Sequence, residues 1–300
     1  MISCTAGSST PPARFDGDPA RFAVQPVDIG HVVVPLDGSP FAERALPVAQ
    51  WVADVVGADV HLLEVVASGD DEGVEGAIRY LDNVCRRHAA SWDVAERGDV
   101  AEALAGALAA SPGRLACLAT HGRGRSATIG SVAASLVGRT TGPVMLVGPG
   151  ARAVTATDAP VVVAVDGTTH DHTLVAVALG WAARLARRLD IVTVVGPGHP
   201  EPVGGGQRGP TRGPSEPESY VESLAARARG SGVPVVTRVV RNSTSVRAAL
   251  SLLLDRTAAL LVIGSRRREG LGRMAPGSCS ASTVHDVAVP ALVVPLPAEA

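Results

Sequence analysis

One order of apolar runs, turns and helical segments is written out twice along this chain. A short apolar run closed by an Asp-Gly turn, HVVVPLDGSP at 31–40, returns as VVVAVDGTTH at 161–170. Trp51 follows Asp37 at almost the distance at which Trp181 follows Asp166. Further on, LACLA at 115–119 returns as LLVIG at 260–264, Gly130-Ser131 as Gly277-Ser278, and GPVMLV at 142–147 as VPALVV at 289–294. Repetition of whole blocks fixes architecture before any single element is assigned, because each copy must bury its own apolar faces.

Within the first copy, apolar runs predict strands at 31–36, 58–66, 92–96, 115–119 and 143–147. Helical spacing or composition predicts helices ending near 56, over 75–90 and 100–108, and from Ser131 to about 138. The strands are apolar without alternation, the pattern of parallel strands covered by helices on both faces. The expected fold is therefore α/β, as two tandem doubly wound domains, each with a five-stranded parallel sheet. The expected layout is a disordered tail over 1–28, a first domain over 29–150, a linker over 151–158 and a second domain over 159–300. A Gly- and Pro-rich stretch at 196–217 lengthens the second copy as a loop.

At 300 residues, 46% hydrophobic, the chain is long enough for two cores. A net charge of −2 gives no basic surface for nucleic acid or an anionic membrane, and no apolar run reaches a membrane span or a secretory signal. A cytoplasmic protein is expected, with small ligands and proteins as partners. Cys4, Cys85, Cys117 and Cys279 are scattered, without zinc spacing. The sequence contains no lysine, which removes the P-loop lysine, the kinase strand lysine and Schiff-base chemistry together. Neither G-x-S-x-G nor H-E-x-x-H occurs, and no general base is placed.

In a doubly wound sheet, ligands bind beyond the carboxyl ends of the strands where the strand order reverses, which puts Asp37 and Asp166 at the mouths of such crevices. A carboxylate there accepts a hydrogen bond from a base or ribose; equally, Asp-Gly-Ser/Thr is a good turn and helix cap. The loop after the fourth strand, THGRGRSATIGS at 120–131, ends on a helix start, where free backbone N–H groups and the Ser131 hydroxyl form an anion site. Gly122, Gly124 and Gly130 permit close backbone approach. The second copy offers Gly264, Gly277 and Ser278 in the same places, with Arg266, Arg267 and Arg268 between. His170-Asp171-His172 has the residue types of a metal site but the wrong spacing, and reads as a solvated helix terminus. Cys279, after Gly277-Ser278, sits where a helix dipole lowers a thiol pKa.

Through Asp-Gly-Ser/Thr, the late Gly-Ser and the closing Pro-Val strand, both copies resemble universal stress protein domains in tandem. The resemblance implies the adenine-nucleotide α-hydrolase-like, flavodoxin-like fold, ATP or a related adenine nucleotide as ligand, at most slow hydrolysis, and a role in stress response or regulation. It also implies pairing of the two domains through their fifth strands, with a homodimer as a further option. A non-binding branch of the family serves instead as an interaction module. The ATP-binding branch reads Gly, two residues, Gly, nine residues, Gly, then Ser or Thr. The first copy departs from this with Ala119 for the first Gly and seven residues before Gly130; the second has Arg267 for the middle Gly. If the family's first glycine is needed at positive φ, Ala119 there would cost about 1–2 kcal/mol.

Overall fold

The computed structural model describes Phe22 and residues 24–122, 129–153, 158–196, 216–241, 245–254, 257–266 and 279–297. The first unit runs β1 (His31–Leu36), a 3-10 turn at Ala42–Ala45, α1 (Leu46–Val56), β2 (Asp59–Val66), α2 (Asp71–Arg87), β3 (Ala90–Glu96), α3 (Val100–Ala109), β4 (Arg114–Ala119), α4 (Ser131–Arg139) and β5 (Val144–Val147). The second runs β6 (Val161–Val165), α5 (Asp171–Arg184), β7 (Leu189–Val195), α6 (Pro217–Ala228), β8 (Val235–Arg241), α7 (Val246–Leu253), β9 (Leu260–Arg266), α8 (Cys279–Asp286) and β10 (Ala291–Leu296). The α/β class and the strand–helix alternation are those read from the sequence. The helix over 71–87 starts earlier than its apolar spacing indicates, because the Asp70 carboxylate caps it by accepting from Gly73 N at 2.9 Å.

All ten strands form one sheet in the order β3-β2-β1-β4-β5-β10-β9-β6-β7-β8. Every pairing is parallel except β5 with β10, which run antiparallel with Ala291 opposite Leu146 and Val293 opposite Val144. Each half thus has the order 3-2-1-4-5, and the two are related by a pseudo-twofold through their fifth strands. Successive β1 residues show why the strands do not alternate: Val32 and Val34 pack under α1 and α2, while Val33 packs in the opposite layer with Leu104 and Leu136 of α3 and α4. Fully buried side chains such as Leu62, Leu146, Leu189 and Leu250 each contribute roughly 1.5–3 kcal/mol of burial. Among the described residues no helix is long and apolar enough to cross a membrane.

Phe22, Gln25 and Val27, expected to lie in a disordered tail over 1–28, pack against the second unit. Phe22 N donates to Arg227 O at 3.3 Å, its ring lies 4.4 Å from the Arg227 guanidinium, and it meets the His172 ring edge-on at 5.5 Å. Three residues later, Gln25 O rests against Gly180 in the middle of α5, where a Cβ would strike it. The start of the first unit is therefore strapped across two helices of the second.

Candidate functional site

The order in which strands are added reverses between the parallel neighbours β1 and β4, and again between β6 and β9, so the carboxyl ends of these pairs frame two crevices. In the first, β1 ends in a turn whose Gly38 has φ of 75°, a left-handed conformation that favours glycine. Asp37 Oδ1 accepts from Ser39 N at 3.0 Å, and Ser39 Oγ accepts from Ala42 N at 3.2 Å, which launches the 3-10 turn and α1. Across the crevice, Gly122 lies so close to the Asp37 carboxylate that a side chain at 122 would collide with Oδ2. Gly130 N donates to Thr120 O at 2.7 Å, drawing together the two ends of the loop, and a Cβ on Gly130 would press on that same carbonyl. Gly130 is the N-cap of α4 with no side chain capping it, and Ser131 is exposed at the helix start.

The structure thus brings Asp37, Gly122, Gly130 and Ser131 to one edge. Gly124, with Arg123 and Arg125, lies outside the described residues. So do Gly277, Ser278, Arg267 and Arg268, and the side chains of Arg266 and Cys279 are likewise not described. Gly264 is not in a loop: it pairs within β9 opposite Val294, and its missing side chain makes room for Leu296 and Leu174. Ala119 holds the matching position in β4, opposite Val147. Neither has a positive φ; among described non-glycine residues only Ala186 does. The strain expected at Ala119 is absent, because the position is extended strand that any residue adopts.

In the second unit the turn after β6 repeats the backbone, with Gly167 at φ of 87°, but not the bonding. Asp166 Oδ1 accepts from the Thr168 hydroxyl at 2.9 Å. The turn is gripped from below by Asp171, which accepts from Asp166 N at 3.1 Å, Gly167 N at 2.7 Å and the Tyr220 hydroxyl at 2.7 Å. Asp171 was expected at a solvated helix terminus. It does begin α5, but it is fully buried, and the neighbouring His172 faces Phe22 and Arg227 instead. Loss of water raises the Asp171 pKa, and the nearby Asp166 adds to that, against the hydrogen bonds from Tyr220 and the two amides. The first unit has a looser counterpart, in which Tyr80 OH donates to Glu43 Oε1 at 3.0 Å. Among the described residues no group of three His, Cys, Asp or Glu could hold a metal. Burial raises the thiol pKa of Cys85 and of Cys117, so neither is poised as a nucleophile.

A second feature of the first edge was not legible in the sequence. His121, after β4, faces His285 of α8 with ring centroids 5.0 Å apart at 73°. The two are 164 positions apart (285 − 121) and meet only because β10 runs antiparallel to β5.

Comparison with known proteins fits this geometry. The model of the universal stress protein family matches residues 159–295. Residues 159–295 form a universal stress protein domain. Among solved structures, a universal stress protein from Archaeoglobus fulgidus DSM 4304 is similar with a TM-score of 0.67 at 18% identity, covering 88% of this chain and 98% of that one. A putative universal stress protein from Pseudomonas aeruginosa UCBPP-PA14 is similar with a TM-score of 0.59 at 17% identity, covering 90% and 94%. At these identities the likeness is one of fold, and it extends beyond the universal stress protein domain into the first unit. No curated protein matches the sequence at a significant level.

Proposed function

We propose that the chain is a stress-response or regulatory protein that binds ATP or a related adenine nucleotide at the first unit's crevice without fast turnover. What supports the reading is the convergence of the Asp37 carboxylate, the Gly122 backbone and the uncapped start of α4 at Gly130-Ser131 on one strand edge. The glycines let the loop close onto the end of β1 and onto itself: a side chain at 122 would collide with Asp37, and one at 130 would press on the Thr120 carbonyl. In this reading Asp37 accepts a hydrogen bond from the base or ribose. The amides at the start of α4, its dipole and the Ser131 hydroxyl hold phosphate oxygens. Without lysine, a side chain that is always cationic on the phosphates must be arginine, which can bind them in bidentate fashion.

The test is whether the purified full-length protein carries nucleotide, seen as excess absorbance at 260 nm and identified after denaturation, together with calorimetric titration by ATP. Bound nucleotide or a saturable heat supports the proposal. Neither signal would end it and hand the fold to a role in protein interaction.

A further inference from the structure

A cavity of ≈ 210 Å³ opens on the same edge, between the two units. Its walls include Phe41 and Arg44 from the 3-10 turn, Thr120 and His121 after β4, Pro149 after β5, and His285 from α8 of the other unit. Its arginine, histidines and apolar lining suit a single ring bearing a carboxylate. Of the described residues given to the nucleotide, only Gly122 also borders this cavity.

Arg44 supplies a fixed positive charge, two imidazoles stand in the lining, and the strand ends are apolar. The Arg44 guanidinium lies 5.2 Å from the centre of the Phe41 ring and donates one N–H to Pro149 O at 3.1 Å. That uses one of its five donors. Its neighbour Glu43 is engaged by Tyr80 at 3.0 Å and Arg87 at 3.7 Å. His285 Nδ1 lies 2.8 Å from Asp286 Oδ1, and Asp286 is in turn paired with Arg247 at 3.2 Å. With Nδ1 donating to Asp286, Nε2 is the nitrogen left for a further partner, and it donates to a carboxylate when the ring carries both protons. The apolar wall comes from Ala119 and Val147 at the strand ends.

The second unit shows how the same place is closed. There β10 continues past Val294, so that Pro295 and Leu296 pair beside Ser265 and Arg266, and the Leu296 side chain, 4% exposed, drops onto Gly264 and Leu174. In the first unit the strand stops at Val147. The chain leaves the sheet at Gly148, which lies so near the carbonyls of Val284 and His285 that a side chain would strike them. The early exit opens the space, and the contact at Gly148 brings His285 to its rim.

We propose that this inter-unit cavity is a second ligand site, which binds a small planar organic carboxylate. The carboxylate is held by Arg44 with His121 and His285, and the ring lies against Phe41, Ala119 and Val147. Because Gly122 also borders Asp37, an occupant here touches the loop that frames the crevice.

Ligand-observed NMR titration of the full chain with benzoate tests the site, with benzamide as the uncharged isostere. Saturable benzoate binding is expected. Arg44→Gln should weaken it about tenfold and His285→Ala several-fold, as should replacing benzoate by benzamide. No saturation below ~10 mM, or equal affinity in wild type and Arg44→Gln, would overturn the proposal whatever the protein does with ATP.

Discussion

The turns after β1 and β6 have the same backbone and opposite underpinnings. Gly38 and Gly167 both take left-handed φ, at 75° and 87°. The first turn is held by short-range bonds through Asp37 and Ser39, at 3.0 and 3.2 Å. The second is held by a buried carboxylate, Asp171, which collects two turn amides and a tyrosine from α6. The two turns share their geometry and differ in what fixes it. A turn anchored from the core is rigid whatever its own aspartate does. A turn whose aspartate sits against the opposite loop at Gly122 couples that aspartate to the crevice. The ligand-bearing edge is on this account the first.

Removing the anchors should separate the two turns. Asp171→Ala leaves two amides and a tyrosine hydroxyl in the interior without their acceptor, and should cost about 3 kcal/mol of unfolding free energy in denaturant titration. The pH dependence has a definite sign. The folded pKa of Asp171 is raised, so this group's contribution is fullest below the unfolded value of ~3.9 and is lost as pH rises through the folded pKa. The wild-type advantage over Asp171→Ala should therefore be widest in acid and narrow with rising pH; a gap that widens would contradict the burial argument. Tyr220→Phe should cost roughly 1–2 kcal/mol, because it strips a donor from a buried carboxylate. Tyr80→Phe should cost under ~1 kcal/mol, since Glu43 is partly exposed and keeps Arg87 at 3.7 Å. Equal losses would mean that the two anchors do not differ.

A smaller effect concerns the strap. Glycine within a helix ordinarily destabilises by roughly 1 kcal/mol relative to alanine, so Gly180→Ala would stabilise a bare α5. Against Gln25 O the sign should reverse, to a loss of about 1 kcal/mol, checked by thermal unfolding. A gain would show that residues 24–29 do not hold to α5 in solution.

Much of this architecture was legible because its signals are local. Apolar runs such as 31–36 and 161–165, closed by Asp-Gly turns, fix strands whose both faces are covered, and repetition of their order gives the sheet of each unit. Of the crevice residues, Asp37, Gly122, Gly130 and Ser131 could be named because their spacing carries the loop. Gly264 reads both as the end of the fourth strand and as the start of the loop; a glycine at a strand end looks the same whether it turns the chain or seats Leu296, and only the register against β10 tells. The burial of Asp171 was hidden by its histidine neighbours, and its partner Tyr220 lies on the far side of the 196–217 stretch. His285 could not be linked to His121 without knowing that the fifth strands pair antiparallel.

The difference between the turns is tested most directly by calorimetric titration of ATP into the wild-type chain, Asp37→Ala and Asp166→Ala. The account predicts that Asp37→Ala abolishes most of the binding, while Asp166→Ala changes it by less than ~1 kcal/mol, the scale of a remote substitution. Equal losses from the two substitutions, or a loss from Asp166→Ala alone, would contradict it.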